Sequence, residues 1–258
     1  AALEGFNVTY HDLNEKQKAE VDKRIELETA SAKEEALLEQ EKLDLVQKEK
    51  ALQTTNGAPL IKVGMGHIEL MADKPDEARR HFDEALTMTR TRKGDDPVIA
   101  TAIGRAITDA KNGDHKYADK LLEDAAIKDP KNTETLLQLG NAYRKAGEGS
   151  GGGPAFQTYK KALEVNPGFA MASFRLSKLF ESQKNWDLVM QYLNEAIAKD
   201  AKFTAAYYEL FYYYFYRAKF DEAEGYLQKY IDSKLPETDI QDQFLYGQLC
   251  YARKNIDC

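Results

Sequence analysis

One three-residue stripe returns five times along this chain and narrows the folds open to it. It reads Ala78–Phe82–Ala85, Ala118–Leu122–Ala125, Ala155–Tyr159–Ala162, Val189–Leu193–Ala196 and Ala223–Leu227–Tyr230. In each, a compact residue is followed at +4 by a large apolar one and at +7 by another, usually alanine. Steps of four and three hold all three on one face of an α-helix, and the small residues let a partner helix approach closely. The triplets begin 40, 37, 34 and 34 residues apart, room for two helices per unit. The helices ahead of them repeat as well, with Gly104, Gly140, Ser177, Phe211 and Gly247 at the close-contact position. Two units close on Asp129-Pro130 and Asn166-Pro167, where proline stops the second helix. No segment alternates with period two over a strand's length, so the chain is predicted to be all-α.

The fullest unit reads Leu136, Leu139-Gly140, Tyr143, Gly147, then Ala155, Tyr159, Ala162 and Pro167. In this register the chain resembles the tetratricopeptide repeat. Units of that length cover about residues 58 to 233, and Asp239 to Arg253 reads as the first helix of a further, incomplete one. The resemblance implies a right-handed α-solenoid of about five helix pairs whose first helices line a concave surface. The organisation expected is a charged helical extension over residues 1–55 and the repeat array over 56–258. Longer spacings have local causes, in Glu148 to Gly153 at one turn and Asn112 to Lys116 at another. The first helix of the first unit, Leu60 to Ala72, fits two registers. The aromatic-rich fifth unit further resembles a subset of such proteins from bacterial cell envelopes. A periplasmic or envelope location is what that likeness implies, and a cytoplasmic one stays open.

Composition serves mainly to exclude. With 43% hydrophobic residues the chain can build a core, and a net charge of −7 argues against a general nucleic-acid binder. No apolar run approaches the roughly 20 residues that span a bilayer. Residues 12 to 52 are helical in character, without Gly or Pro, and Ser31 with Glu34 reads as a capping box. Leu38, Leu45 and Leu52 fall seven apart, but Glu34, Glu41 and Lys48 occupy the intervening position, so no coiled-coil seam is expected. A solvated helical hairpin is. Asn7-Val8-Thr9 has the form of a glycosylation acceptor, a short match that counts only in a secreted eukaryotic protein. Cys250 and Cys258 match no metal spacing; reduced, paired and intermolecular states all remain open, with simple packing favoured for Cys250.

Nothing points to catalysis. The glycine-rich run 149–153 lacks the Lys-Ser/Thr of a phosphate loop and joins two helices, so it reads as a turn, with Pro154 opening the next helix. His11, His67, His81 and His115 are scattered, and although Asp119 follows His115 at four residues, no set of three or four ligands is expected to converge on any of them. No catalytic residue, metal or cofactor is expected.

Eight of the ten residues from Tyr207 to Tyr216 are aromatic, more than one buried helix face can absorb. The register places Tyr207, Leu210, Phe211 and Tyr214 inward, and Tyr208, Tyr212 and Phe215 toward the implied concave surface. The same offsets on the preceding helices select Arg105, Asn141, Arg144, Phe174, Arg175 and Lys178 as groove residues, with Gln138 and Glu181 among them, and add Glu209 within the aromatic stretch. A cationic strip would then lead to an aromatic wall. The competing reading is that the cations pair with neighbouring carboxylates and the rings pack on each other. Peptide-binding members of the resembled family clamp a terminal carboxylate with Lys and Asn; Asn141 and Arg175 match such positions, but Met171 and Phe174 stand where cations are wanted. The expected function is a non-catalytic scaffold that takes a protein or peptide partner, acidic or aromatic in character. Binding of envelope glycans on the rings and a regulatory role beside an enzyme module are the alternatives, and self-association is compatible with all three.

Overall fold

The computed structural model describes residues 23, 33, 36–44, 57–147, 153–234 and 240–253. Asn7, Ser31, Leu45, Leu52, the loop 148–152 and Cys258 lie outside the described residues, and so do the expectations placed on them. Apart from one isolated bridge between Thr91 and Gly94, every regular element among the described residues is an α-helix. The architecture is an all-α solenoid of tandem helix pairs. Contacts divide it into two compact units, one of residues 1–89 with 110–112 and the other of residues 90–109 with 113–258.

The first unit holds the helix pair α1 (Ala58–Met71) and α2 (Pro75–Thr89). Gly66 faces Phe82, and a Cβ there would lie 2.4 Å from the ring. That contact selects one of the two registers open to the first repeat. Residues 36–44 are helical too, and Lys42 forms an ion pair with the buried Glu69 of α1. The hydrogen bond to Glu69 holds Lys42 above the usual lysine range.

The second unit contains four more pairs and a last helix: α3 (Pro97–Asp109) with α4 (His115–Lys128), α5 (Thr133–Lys145) with α6 (Pro154–Val165), α7 (Ala170–Ser182) with α8 (Trp186–Lys199), α9 (Thr204–Phe215) with α10 (Phe220–Ser233), and α11 (Ile240–Ala252). All five triplet stripes of the chain are buried, and they face the close-contact positions of their partner helices. A Cβ on Gly104 would sit 2.5 Å from Leu122, and one on Gly140 would sit 2.4 Å from the Tyr159 ring. Ser177 and Phe211 take the same place in the next two pairs and are themselves buried. Gly247 departs from the pattern, since a Cβ there would meet nothing within 4 Å. Second helices also pack on the first helix of the following pair, α4 on α5, α6 on α7 and α8 on α9. Cys250 is held in a disulfide, which replaces the expectation of a simply packed thiol.

Short polar residues start three of the helices. Asp114, Asn132 and Asn185 each accept from the backbone N–H three residues on, at 3.1, 3.1 and 3.3 Å. Gly153 and Pro154 open α6 as expected. Several turns within pairs are closed by one residue in the left-handed region, and only one of these, Gly147 at φ 86°, is glycine. Asp73, Lys184 and Ala218 take φ values of 59°, 56° and 55°, where a Cβ crowds the following carbonyl at about 1–2 kcal/mol. Ala218→Gly is therefore expected to raise stability by about 0.5–1 kcal/mol after the entropy gained by the unfolded chain. Chemical denaturation measures this, and a lower midpoint for the glycine variant would contradict it.

Candidate functional site

The first helices α3, α5, α7 and α9 carry the residues singled out for binding. They sit one after another because each pair presents the same face of its first helix. Between α3 and α5 the hydroxyls of Thr101 and Thr135 share a buried hydrogen bond of 2.8 Å. From there a polar relay runs along α5. Arg105 lies 3.9 Å from Glu134, which accepts from Gln138 at 2.7 Å; Gln138 accepts from Asn141 at 3.0 Å, and Asn141 accepts from the Tyr159 hydroxyl at 2.9 Å. Gln138, Asn141 and Tyr159 are buried, so the relay satisfies polar groups that would otherwise be costly to desolvate. Burial pushes the Tyr159 phenol above its ordinary value, against the opposing charges of Arg144 and Arg175.

The cations divide into two kinds. Arg105 pairs with Asp109 and Glu134, while Lys178 bridges Glu181 and, at 3.1 Å, Glu209. Burial alone would lower Lys178, but the two carboxylates outweigh it and hold the ammonium above the usual range. These two meet the competing reading of local pairing. Arg144 stands exposed and hydrogen-bonds the Tyr159 phenol, and the half-buried Arg175 keeps its buried Nε without a hydrogen-bond partner among the described residues.

The rings divide similarly. Phe174, expected on the groove, is only 8% exposed and belongs to the core; its ring packs on Phe203, 5.4 Å away, which precedes α9 and folds back over it. Tyr207, Leu210 and Phe211 are buried as the register requires, and Tyr214 is half-buried against Tyr226 at 5.3 Å. Tyr208, Tyr212 and Phe215 are half-buried, and each packs on at least two neighbouring rings. Tyr208 meets Tyr212 edge-on at 4.9 Å, and Tyr212 stacks on Tyr216 at 5.6 Å.

Burial, with the hydrogen bond to Tyr208, pushes the Tyr212 phenol up to about 12. Burial raises Tyr159, Tyr192, Tyr226 and Tyr246 in the same direction. A raised folded value means the native state holds the proton more tightly than the unfolded chain, which releases it near pH 10. The resulting stability is complete below about pH 10 and drains as pH climbs toward about 12. Melting temperature is therefore expected to fall steeply across that interval, as phenolate absorbance rises. A flat melting temperature to pH 12 would contradict the burial of these rings.

Sequence reasoning missed Trp186, Tyr213, Tyr216 and Arg217, which complete this end of the surface. Ser177, Lys178 and Glu181 of α7, Trp186 at the start of α8, and Glu209 and Tyr212 of α9 surround a pocket of about 230 Å³, closed by Tyr213, Tyr216 and Arg217. The Arg217 guanidinium lies over the Tyr213 ring at 3.7 Å and the Trp186 ring at 4.7 Å. A signal was present, because the chain's single tryptophan falls at an exposed first helical position directly after the capping Asn185.

No protein-family model matches the chain. Solved structures do. It is similar to a tetratricopeptide repeat protein from Parabacteroides merdae, 20% identical, with a TM-score of 0.55 over 85% of this chain and 87% of that one. TTC0263, a thermophilic repeat protein of Thermus thermophilus, is 18% identical with a TM-score of 0.55, covering 76% and 100%. PilW, described as a widely conserved type IV pilus biogenesis factor, is 16% identical with a TM-score of 0.56, covering 78% and 89%. At these identities the likeness shows the fold.

Proposed function

We propose that this chain, which has the tetratricopeptide-repeat fold, is a non-catalytic scaffold that binds an extended segment of a partner protein along its first helices. The observation that carries this reading is a run of groups with unspent capacity on adjacent helices. The exposed Arg144, with donors beyond its bond to Tyr159, and the half-buried Arg175 come first, then the half-buried rings Tyr208, Tyr212 and Phe215. Arginine and tyrosine are the side chains from which interface anchors are usually built. Stacked helix pairs hold such a row in register over a length that suits an extended chain better than a compact ligand. The two arginines favour carboxylates, so the partner segment is acidic with aromatic residues. In this reading residues 56–258 form the binding array and residues 1–55 lead into it.

A peptide and glycan array probed with the purified chain tests the proposal. Acidic, aromatic-containing peptides are expected to be retained, and Arg175→Ala and Tyr208→Ala are each expected to weaken the best of them roughly tenfold. Retention of glycans alone, or of no peptide at all, would overturn it.

A further inference from the structure

The pocket between α7, α8 and α9 has a chemistry of its own. We infer that it is an anchor site for one uncharged aromatic side chain of the partner segment, an inference that rests on the scaffold reading above. Size is the first argument. Small-molecule and cofactor sites usually enclose about 300–1,000 Å³. At about 230 Å³ this pocket is short of that range and fits a single large side chain.

Charge is the second. Two cations and two carboxylates line the pocket, and each is already engaged. Lys178 lies between Glu181 and Glu209. Arg217 is sandwiched on Trp186 and Tyr213 and donates to the Tyr213 carbonyl at 3.0 Å. An incoming cation would have to displace one of these, and an incoming anion would meet the carboxylates. Neither gains. A sugar ring would bring hydroxyls onto an apolar floor, beside carboxylates that each already hold Lys178 through one oxygen. A neutral ring meets no such conflict.

Wall geometry is the third. Val189 and Leu193, both buried, form an apolar floor. Trp186 and Tyr213 stand 5.9 Å apart with planes tilted by 56°, and Tyr216 stacks on Tyr212 at the other side. Edges and faces are therefore both offered, which is how aromatic rings prefer to meet. Trp186 at 37% and Tyr216 at 77% leave apolar ring exposed at the mouth, which an inserted ring would cover.

Trp186 is the chain's only tryptophan, so its emission, excited where tyrosine does not absorb, reports on this pocket alone. The probes are the acetylated, amidated pentapeptide Asp-Gly-Phe-Gly-Asp, the same peptide with Ala or Lys in place of Phe, and N-acetylglucosamine. The Phe peptide is expected to change Trp186 emission saturably and to bind roughly tenfold tighter than the Ala peptide. Tyr216→Ala, at an exposed position, is expected to remove most of that difference. Arg175→Ala should weaken the Phe and Ala peptides by the same factor. Equal binding of Phe and Ala peptides, or binding with Trp186 silent, would overturn the anchor site and leave the scaffold reading standing. Preference for the Lys peptide would overturn it in favour of a cation site. Saturation by N-acetylglucosamine with no peptide bound would overturn both readings.

Discussion

Phe211→Ala is expected to cost about 3–5 kcal/mol of folding stability, from lost transfer energy plus the cavity left behind. Phe211 is fully buried, at 0% exposed. It fills the close-contact position of the fifth pair and touches the rings of Tyr212 and Phe215 at 4.8 and 5.6 Å. Its neighbours in that cluster include Leu227 and Tyr230 of α10 and Leu245 and Leu249 of α11, so the void would loosen two helix contacts together. Tyr212→Ala, one residue along, is expected to cost only about 1 kcal/mol, because its ring is half-buried and leaves no closed cavity. Its effect should fall on partner binding, where a hot-spot ring is worth about 2 kcal/mol. Denaturation and binding measured on both variants separate the two roles. Equal destabilisation with no selective loss of binding would mean that the whole aromatic stretch is core.

Gly140→Ala is the second large effect, and its direction runs against helix propensity. An alanine inside a helix ordinarily gains up to about 1 kcal/mol over glycine. At Gly140 the new Cβ would lie 2.4 Å from the Tyr159 ring. That ring is fully buried, and its hydroxyl is fixed to Asn141 at 2.9 Å, so it cannot swing aside without breaking the relay on α5. A net loss of about 1–3 kcal/mol is expected from overpacking. Gly225 on α10 provides the control, since a Cβ there meets nothing within 4 Å. Gly225→Ala should stabilise by about 0.5–1 kcal/mol. If both substitutions stabilise, the glycine contact does not set the spacing between α5 and α6.

Much of the fold was legible because helical periodicity is a local property. Steps of four and three put Ala155, Tyr159 and Ala162 on one stripe whatever surrounds them, and a stripe so narrow can only be covered by another helix. The register of α9 followed from the same periodicity, with Leu210 and Phe211 inside and Tyr208 and Tyr212 at the margin. Phe174 shows where that reasoning stops. Its offset on α7 is that of Thr101 and Leu137, and all three are buried, because residues of neighbouring elements, such as Phe203, cover that line of the first-helix face. No spacing within α7 contains that information.

Sequence by itself determined the helix pairs, their stripes, their close-contact positions and the absence of strand periodicity. Each of these is a relation between residues a few positions apart on one helix. Tertiary structure alone decided the state of each polar and aromatic group on the first-helix face. It paired Lys178 with Glu209 across two helices, left Arg175 Nε without a partner among the described residues, and brought Arg217 onto Trp186. Lys178 and Glu209 are 31 positions apart, as are Trp186 and Arg217, nearly one full repeat. Such distances close only when the pairs stack, since the energies that decide them are short-ranged in space and indifferent to order along the chain.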